Sequence, residues 1–415
     1  MPTTDTTPPA LRPYLTPAHE QLWGEAEKFA ADHVVPRVPH MEAAPHEVER
    51  ELPQLMALRG WFGVTIPEEY GGMAAGHVAK TVLIHRLAVA SAATAAILQA
   101  TLIPVGALLH WGTLEQKKKW LRKVADGTVL FSIAVTEPDA GGHIGGIETV
   151  AEPAGDEWVI TGEKIHIGNS HIAGLHVVVA RTAPPGVTAS AALTAFLVEN
   201  HREGLSHGKH RARLGLHGFS AGRLILDRVR IPAANILGEV GQGLYVAQSA
   251  SILYGRPNLT AVSLGIHEAL VETTAHFLND RPRYGGYLSD HPVVQDRLGE
   301  MQGRLQTALT TTYSAVHLLD HGVACDSELI GAKHTGHQLA VESARDAMEL
   351  HGARALDGDY ELQRLFRDIP HTYSPAGTGE FQRIHLAKAA LGETTIEWSQ
   401  RLAAEAAWAP DPTAA

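Results

Sequence analysis

The chain has 415 residues, 45% of them hydrophobic, and a formal net charge of −11. That length suits two or three packed regions rather than one small core, and the acidic balance excludes work through a broad basic face on nucleic acid. One cysteine, Cys325, excludes an internal disulfide, and the 25 histidines are scattered, so no metal cluster with carboxylates is read from them.

The N-terminal stretch MPTTDTTPPALRPYL has neither the basic nor the apolar region of a secretory leader, so a cytoplasmic protein is expected. Thr16-Pro17 has the N-cap and first-turn pattern of a helix that continues through residues 21–33. A second helix is expected over 51–58, ending near Gly60, followed by a turn-rich break at IPEEYGG, residues 66–72. Helical pattern resumes from Ala79. The most apolar stretch, 87–109, holds Ser, Thr, Gln and Pro104, which predicts a buried helix pair broken at Pro104 rather than a membrane span. Thr113 and Gln116 have capping-box spacing at the head of a helix over 113–125.

From Val129 the texture changes. VLFSIAV, EWVITG, HVVVAR, LTAFLVEN and GRLILDRVRI are short β-branched runs punctuated by Gly, Pro, Asp and Asn, which predicts an antiparallel sheet or small barrel up to about Ile236. After Gly243 helical pattern returns: 244–279, 292–321, 325–351 and 380–407, with a shorter helix at 361–368 and a frayed tail after Pro410. The domains expected are residues 1–128, an N-terminal α-helical domain; 129–240, a middle antiparallel β domain; and 241–415, a C-terminal four-helix bundle.

Several motifs carry a family resemblance through their order and spacing. VTEPDAGG (135–142) resembles T-E-P-x-A-G-S-D. ITGEKIHIGNSHIAG (160–174) resembles I-T-G-x-K-x-W-I-T-N-G. LGLHGFSAGRLILDRVRIPAANILGEVGQG (214–243) matches the stretch that leads out of the β domain. DRPRYG (280–285) resembles R-x-x-F-G, and FRDIPHTYSPAGTGEFQRIHLAKAALG (366–392) resembles the closing R-D…E-G-T-x-x-I-x-R motif. The chain thus resembles the acyl-CoA dehydrogenase family along almost its whole length. The resemblance implies that family's fold, a homodimer or homotetramer, FAD, and an acyl thioester of CoA or of a carrier protein as substrate.

In that family a carboxylate removes the Cα proton of the thioester while the Cβ hydride goes to the flavin. The resemblance places the base at one of two loci, which here are Ala376 and Gly255; neither can titrate. His166, Tyr373 and Arg256 are the remaining candidates for a catalytic role. The resemblance assigns cofactor contacts to Thr136, Gly142, His166, Gly168, Arg281, Tyr284, Glu349, Gly352, Thr378 and Glu380. Among these, Gly168 stands where a threonine reaches the ring, leaving space there. Glu349 sets an anion near the pyrophosphate, and Ala353 and Ala355 add methyls where the pattern has glycine. The function expected is an FAD-dependent oxidoreductase of specialised, biosynthetic metabolism working without the usual glutamate. The alternatives are a non-redox cyclase, lyase or silent protein that has lost FAD, and a flavin-dependent monooxygenase using the space at Gly168.

Overall fold

The computed structural model describes residues 7–184, 186–393 and 396–403. The N-terminal helices are α1 (Pro17–Phe29), α2 (Val38–Ala43), α3 (Glu51–Leu58), α4 (Gly76–Ala90), α5 (Ala92–Trp111) and α6 (Leu114–Ala125). Thr16 caps α1 and Thr113 caps α6; in each the third residue's side chain, His19 or Gln116, reaches back to the cap N–H.

The break expected at Pro104 lies instead at Ser91, whose extended backbone ends α4 and whose hydroxyl accepts from Thr94 N to start α5. Pro104 stays inside α5, where neighbouring helices hold the helix together around the missing N–H. Helix α5 is long and apolar enough to cross a membrane, but it lies almost wholly buried inside the protein.

The middle region is one eight-stranded sheet: β1 (Phe131–Ala134), β2 (Val150–Ala154), β3 (Glu157–Gly168), β4 (Leu175–Arg181), β5 (Leu193–Glu199), β6 (Leu205–His207), β7 (Ala221–Pro232) and β8 (Ile236–Leu237), with a short helix α7 (Ala189–Ala192) before β5. The order is β6-β7-β3-β2-β4-β5-β8, with β1 beside β4. Most pairs are antiparallel as expected, but β1 runs parallel to β4, so the sheet is mixed. One face of β4 and β5 (Val177, Val179, Ala195, Leu197) packs on α5, α6 and the helix after the sheet; the other (Val178, Ala180, Phe196, Val198) faces β3 and β7.

The C-terminal helices are α8 (Gly243–Ala250), α9 (Arg256–Asn279), α10 (Pro292–Asp320), α11 (Asp326–His351), α12 (Glu361–Asp368), α13 (Gly379–Ala390) and α14 (Trp398–Ala403). A single π-turn, Ser251–Gly255, joins α8 to α9. A two-residue hairpin, β9 (Pro282–Arg283) with β10 (Gly286–Tyr287), links α9 to α10. The helix expected over 380–407 ends at Ala390; Gly392 at φ +70° closes it, and α14 starts afresh. Residues 1–6, the end of that expected helix at 404–407 and the tail after Pro410 lie outside the described residues. Helices α4, α5, α9, α10 and α11 share one core, so the N- and C-terminal helices form a continuous body.

Candidate active site

The loop after β1 is fixed from below by a buried ion pair. Glu137 accepts from Lys164 Nζ at 2.7 Å and from the N–H groups of Glu148 and Thr149; Lys164 also donates to the Val135 carbonyl at 2.9 Å. Burial pushes Glu137 up, and Lys164 more than offsets it, so the carboxylate is held ionised. Thr136, between these anchors, is half-buried and its carbonyl accepts from Ile165 N at 2.9 Å. Gly142 lies exposed farther along the loop, close enough to α13 that a Cβ there falls 2.6 Å from the Phe381 ring.

His166 sits at a bulge of β3 with φ +58°, exposed, and its Nδ1 accepts from Arg213 Nη2 at 3.1 Å. Partial burial and then Arg213 lower its pKa, so the ring is neutral and its remaining N–H is a donor. The space expected at Gly168 is already taken. A Cβ on Gly168 meets both Ala100 and Phe219 at 3.1 Å, so Phe219 fills the volume the missing side chain leaves.

The two positions where the resemblance places a base converge. Gly255 ends the π-turn, and a Cβ built on it falls 3.1 Å from the Ala376 methyl. A carboxylate on either residue would reach the same volume, and neither residue carries one. Ala376 has φ +55° and Gly377 φ +95°, a tight left-handed turn held by its carbonyls. Gln382 Nε2 donates to Ala376 O at 3.0 Å and Gly377 O at 2.9 Å; Lys333 Nζ donates to Tyr373 O at 2.7 Å and Gly377 O at 2.5 Å. Arg256 Nε donates to Gln382 Oε1 at 2.9 Å, while its Nη1 is buried with no partner among the described residues.

Two basic groups thus lie under the turn, and no described carboxylate pairs with either. Burial draws Lys333 down to about 7, with Arg256 adding to the effect, and draws Arg256 to about 10, so the guanidinium stays charged. Asp326, the acid that Arg256 feels, spends its oxygens on the N–H groups of Trp398 and Ser399.

Tyr373 is a donor rather than a base. Its hydroxyl donates to Glu380 Oε2 at 2.5 Å, which raises the phenol's pKa and holds Glu380 down at about 2. Thr378, at the N-cap of α13, helps hold Glu380 down, and Arg383 pairs with it at 3.1 Å. Glu380, the acid on this loop, is therefore a weak proton acceptor.

At the other end, Arg281 enters the β9–β10 hairpin. Slight desolvation and the neighbouring charges of Arg283 and Arg354 lower its pKa, and no carboxylate pairs with Arg281 or Arg283 among the described residues. Tyr284, at φ +53° and 90% exposed, meets His291 edge-on at 5.6 Å. The repulsion expected from Glu349 is offset, because Arg297 and Arg345 both pair with that carboxylate. Gly352 ends α11 at φ +60°, ψ −141°, a conformation that only glycine adopts easily. The Ala355 methyl turns into the core instead of obstructing an approach, whereas Ala353 is exposed.

This hairpin cluster suits a pyrophosphate: Arg281, Arg283 and Arg354 bring positive charge without a competing acid, and guanidinium forks match phosphate oxygens. The residues present therefore fit FAD at its phosphate end. Sequence reasoning missed Lys333, Gln382, Gln99 and Asn258. Lys333 stands on the stripe of Leu329, Gly336 and Ala340, which was the available signal; Gln99 and Asn258 likewise sit among buried helical neighbours, whereas Gln382 is buried on a helix whose flanking residues are exposed and gave no such signal.

Comparison with known proteins agrees with this architecture. Residues 16–128, 132–229 and 241–391 match, in turn, the models for the N-terminal, middle and C-terminal domains of acyl-CoA dehydrogenase. An acyl-CoA dehydrogenase of Bacillus subtilis (strain 168) is 33% identical over 367 residues, 88% of this chain and 96% of the relative. Among solved structures, the prolyl acyl carrier protein oxidase AnaB superposes with a TM-score of 0.83 at 26% identity, covering 91% of this chain and 99% of that one. The FAD complex of PigA superposes with a TM-score of 0.86 at 25% identity, covering 91% and 98%.

Proposed function

The chain belongs to the acyl-CoA dehydrogenase family, and from that premise we propose that it is an FAD-dependent oxidoreductase acting on an acyl thioester of CoA or of a carrier protein without a carboxylate base. The observation that carries this reading is the 3.1 Å approach of Gly255 and Ala376, which leaves the shared base position apolar. The cluster of Arg281, Arg283 and Arg354 supports FAD as cofactor, and Thr136, His166 and Thr378 are the residues we assign to its ring end.

Bound FAD supplies hydride exchange with the acyl group. The chain's own residues do the rest. Lys333 and Gln382 hold the 376–377 turn by its carbonyls, and Arg256 stays charged behind it. The field of the charged Arg256, joined by Lys333 when it is protonated, favours negative charge developing on the substrate over positive charge. His166 presents its remaining N–H as a donor, and Tyr373 has its hydroxyl proton committed to Glu380, so neither is a strong base toward a substrate. Such a set suits a substrate whose labile proton sits on a heteroatom and needs no strong base. The monooxygenase reading loses its support, because Phe219 and Ala100 take the space at Gly168. A homodimer or homotetramer, a cytoplasmic location and a biosynthetic role go with the proposal.

The test is to restore the base. Ala376→Glu should raise the exchange of Cα protons of a bound acyl-CoA for deuterium by about a hundredfold or more, followed by mass spectrometry. Equal exchange by the unmodified protein would show that another base is present. A purified protein that stays colourless when FAD is added would remove the flavin from the proposal.

A further inference from the structure

Helix α5 faces the π-turn and α9 along one line. Gly106 meets the Tyr254 ring, where a Cβ would come within 2.2 Å. Gln99 lies seven residues before Gly106, two turns back on the same face, and its backbone carbonyl accepts from Asn258 Nδ2 at 3.2 Å. Asn258 follows Gly255 by three residues, one turn farther along α9, and Ala100, next on α5, abuts Gly168. Asn258 thus lies one helical turn from Gly255, and Gln99 is the chain neighbour of the residue that abuts Gly168.

Both are spent only in part. Asn258 is fully buried and Gln99 is 6% exposed. Asn258 Oδ1 and Gln99 Oε1 have no partner among the described residues. The bond from Asn258 Nδ2 to a carbonyl fixes which end of that amide is free: it is the oxygen, and an oxygen only accepts. A buried amide oxygen without a partner costs stability that Leu or Met in its place would not, so packing alone does not account for it. What it lacks is an O–H or N–H. Arg256, charged and two residues from Asn258 on α9, disfavours a cation, which favours a neutral donor over an ammonium.

We infer that the site at Gly255 and Ala376 takes a thioester whose acyl group bears a neutral hydrogen-bond donor, a hydroxyl foremost, and that Asn258, with Gln99 beside it, is the group that reads it. This rests on the thioester reading above. A plain hydrocarbon chain would leave the Asn258 oxygen unpaired; a hydroxyacyl chain satisfies it.

The experiment is calorimetric binding to the full-length protein supplied with FAD. The probes are butyryl, 2-hydroxybutyryl and 3-hydroxybutyryl thioesters, offered on CoA and on a phosphopantetheinyl carrier protein. At least one hydroxyacyl thioester should bind about tenfold or more tightly than the butyryl one. Asn258→Leu should abolish that preference. Gln99→Leu, which leaves the Asn258 bond to the α5 backbone in place, should weaken it and serves as the readout should the first variant fail to fold. Equal binding of butyryl and both hydroxybutyryl thioesters overturns the inference while the thioester reading stands. Binding of none of them, on either carrier, overturns that reading and the inference with it.

Discussion

Helix α9 buries charge at both ends, and the two ends treat it differently. Toward its C-terminal half, Glu268 accepts from His85 Nε2 at 2.8 Å and Arg86 Nη1 at 2.6 Å; His85 continues to the Tyr313 hydroxyl, and Arg86 to Glu27. At its start, Arg256 has a neutral glutamine for a partner, and Lys333 has backbone carbonyls. The first set gives the buried Arg86 two carboxylate partners and ties α1, α4, α9 and α10 together. The second leaves the charged Arg256 and the half-protonated Lys333 without a paired carboxylate among the described residues, around a turn that carries none. Matched buried charge serves packing; unmatched buried charge marks where a group from outside is received.

The largest expected effect tests the matched end. Glu268→Ala leaves Arg86 and His85 buried without their carboxylate and should cost about 3–5 kcal/mol in urea unfolding. Arg256→Met removes one hydrogen bond and no counterion, and should cost about 1 kcal/mol. Equal losses would erase the distinction between the two ends. The pH dependence follows the same logic. Burial alone would raise Glu268, but His85 and Arg86 hold it at about 2, below its ordinary 4.5. Its stabilising contribution is then complete above pH 4.5 and is lost as pH falls toward 2.

The next effect sharpens the unmatched end. Lys333 sits at about 7 in the folded chain against an ordinary 10.5. Between those values the unfolded chain binds the extra proton, so stability rises with pH from about 7 to 10.5 and is flat in this group below 7. The slope is at most about 1.4 kcal/mol per pH unit. Lys333→Met should remove that rise, seen by comparing urea midpoints of the two proteins from pH 6 to 9.5. An unchanged slope would mean that Lys333 has a counter-charge after all.

Much of the fold was legible because its signals are local. The Thr16-Pro17 helix start, the Thr113–Gln116 capping pair, β-branched runs and helical periodicity depend on neighbours in sequence, and the elements fall where those signals stand. The misplacements are tertiary. Pro104 reads as a breaker, but packing carries α5 through it, and Ser91 breaks the helix by a side-chain cap. At the site, the two titration-silent base loci were legible as residue types, whereas their 3.1 Å contact was not, since 121 positions separate them. Glu349 reads as a repulsive anion because the arginine opposite, Arg297, comes from another helix. Lys333, Gln99 and Asn258 were hidden for the same reason: burial of a polar side chain is a property of the packed bundle.

The smallest effect concerns the turn itself. Ala376 holds φ +55°, which costs an L-residue about 1 kcal/mol or more and costs glycine nothing in sterics. Glycine pays instead in the unfolded chain, so Ala376→Gly should gain only about 0.5 kcal/mol, measured as a shift in the urea midpoint with unchanged slope. The sign discriminates between two roles for the methyl. If the turn is held only by Gln382 and Lys333 through its carbonyls, the methyl is dispensable and relief of the left-handed strain wins. If the substitution destabilises, the contact between Ala376 and Gly255 is itself a packing element. The strained alanine would then be the price of closing the volume that a carboxylate would otherwise occupy, and the apolar base position would be a built feature of the unmatched end.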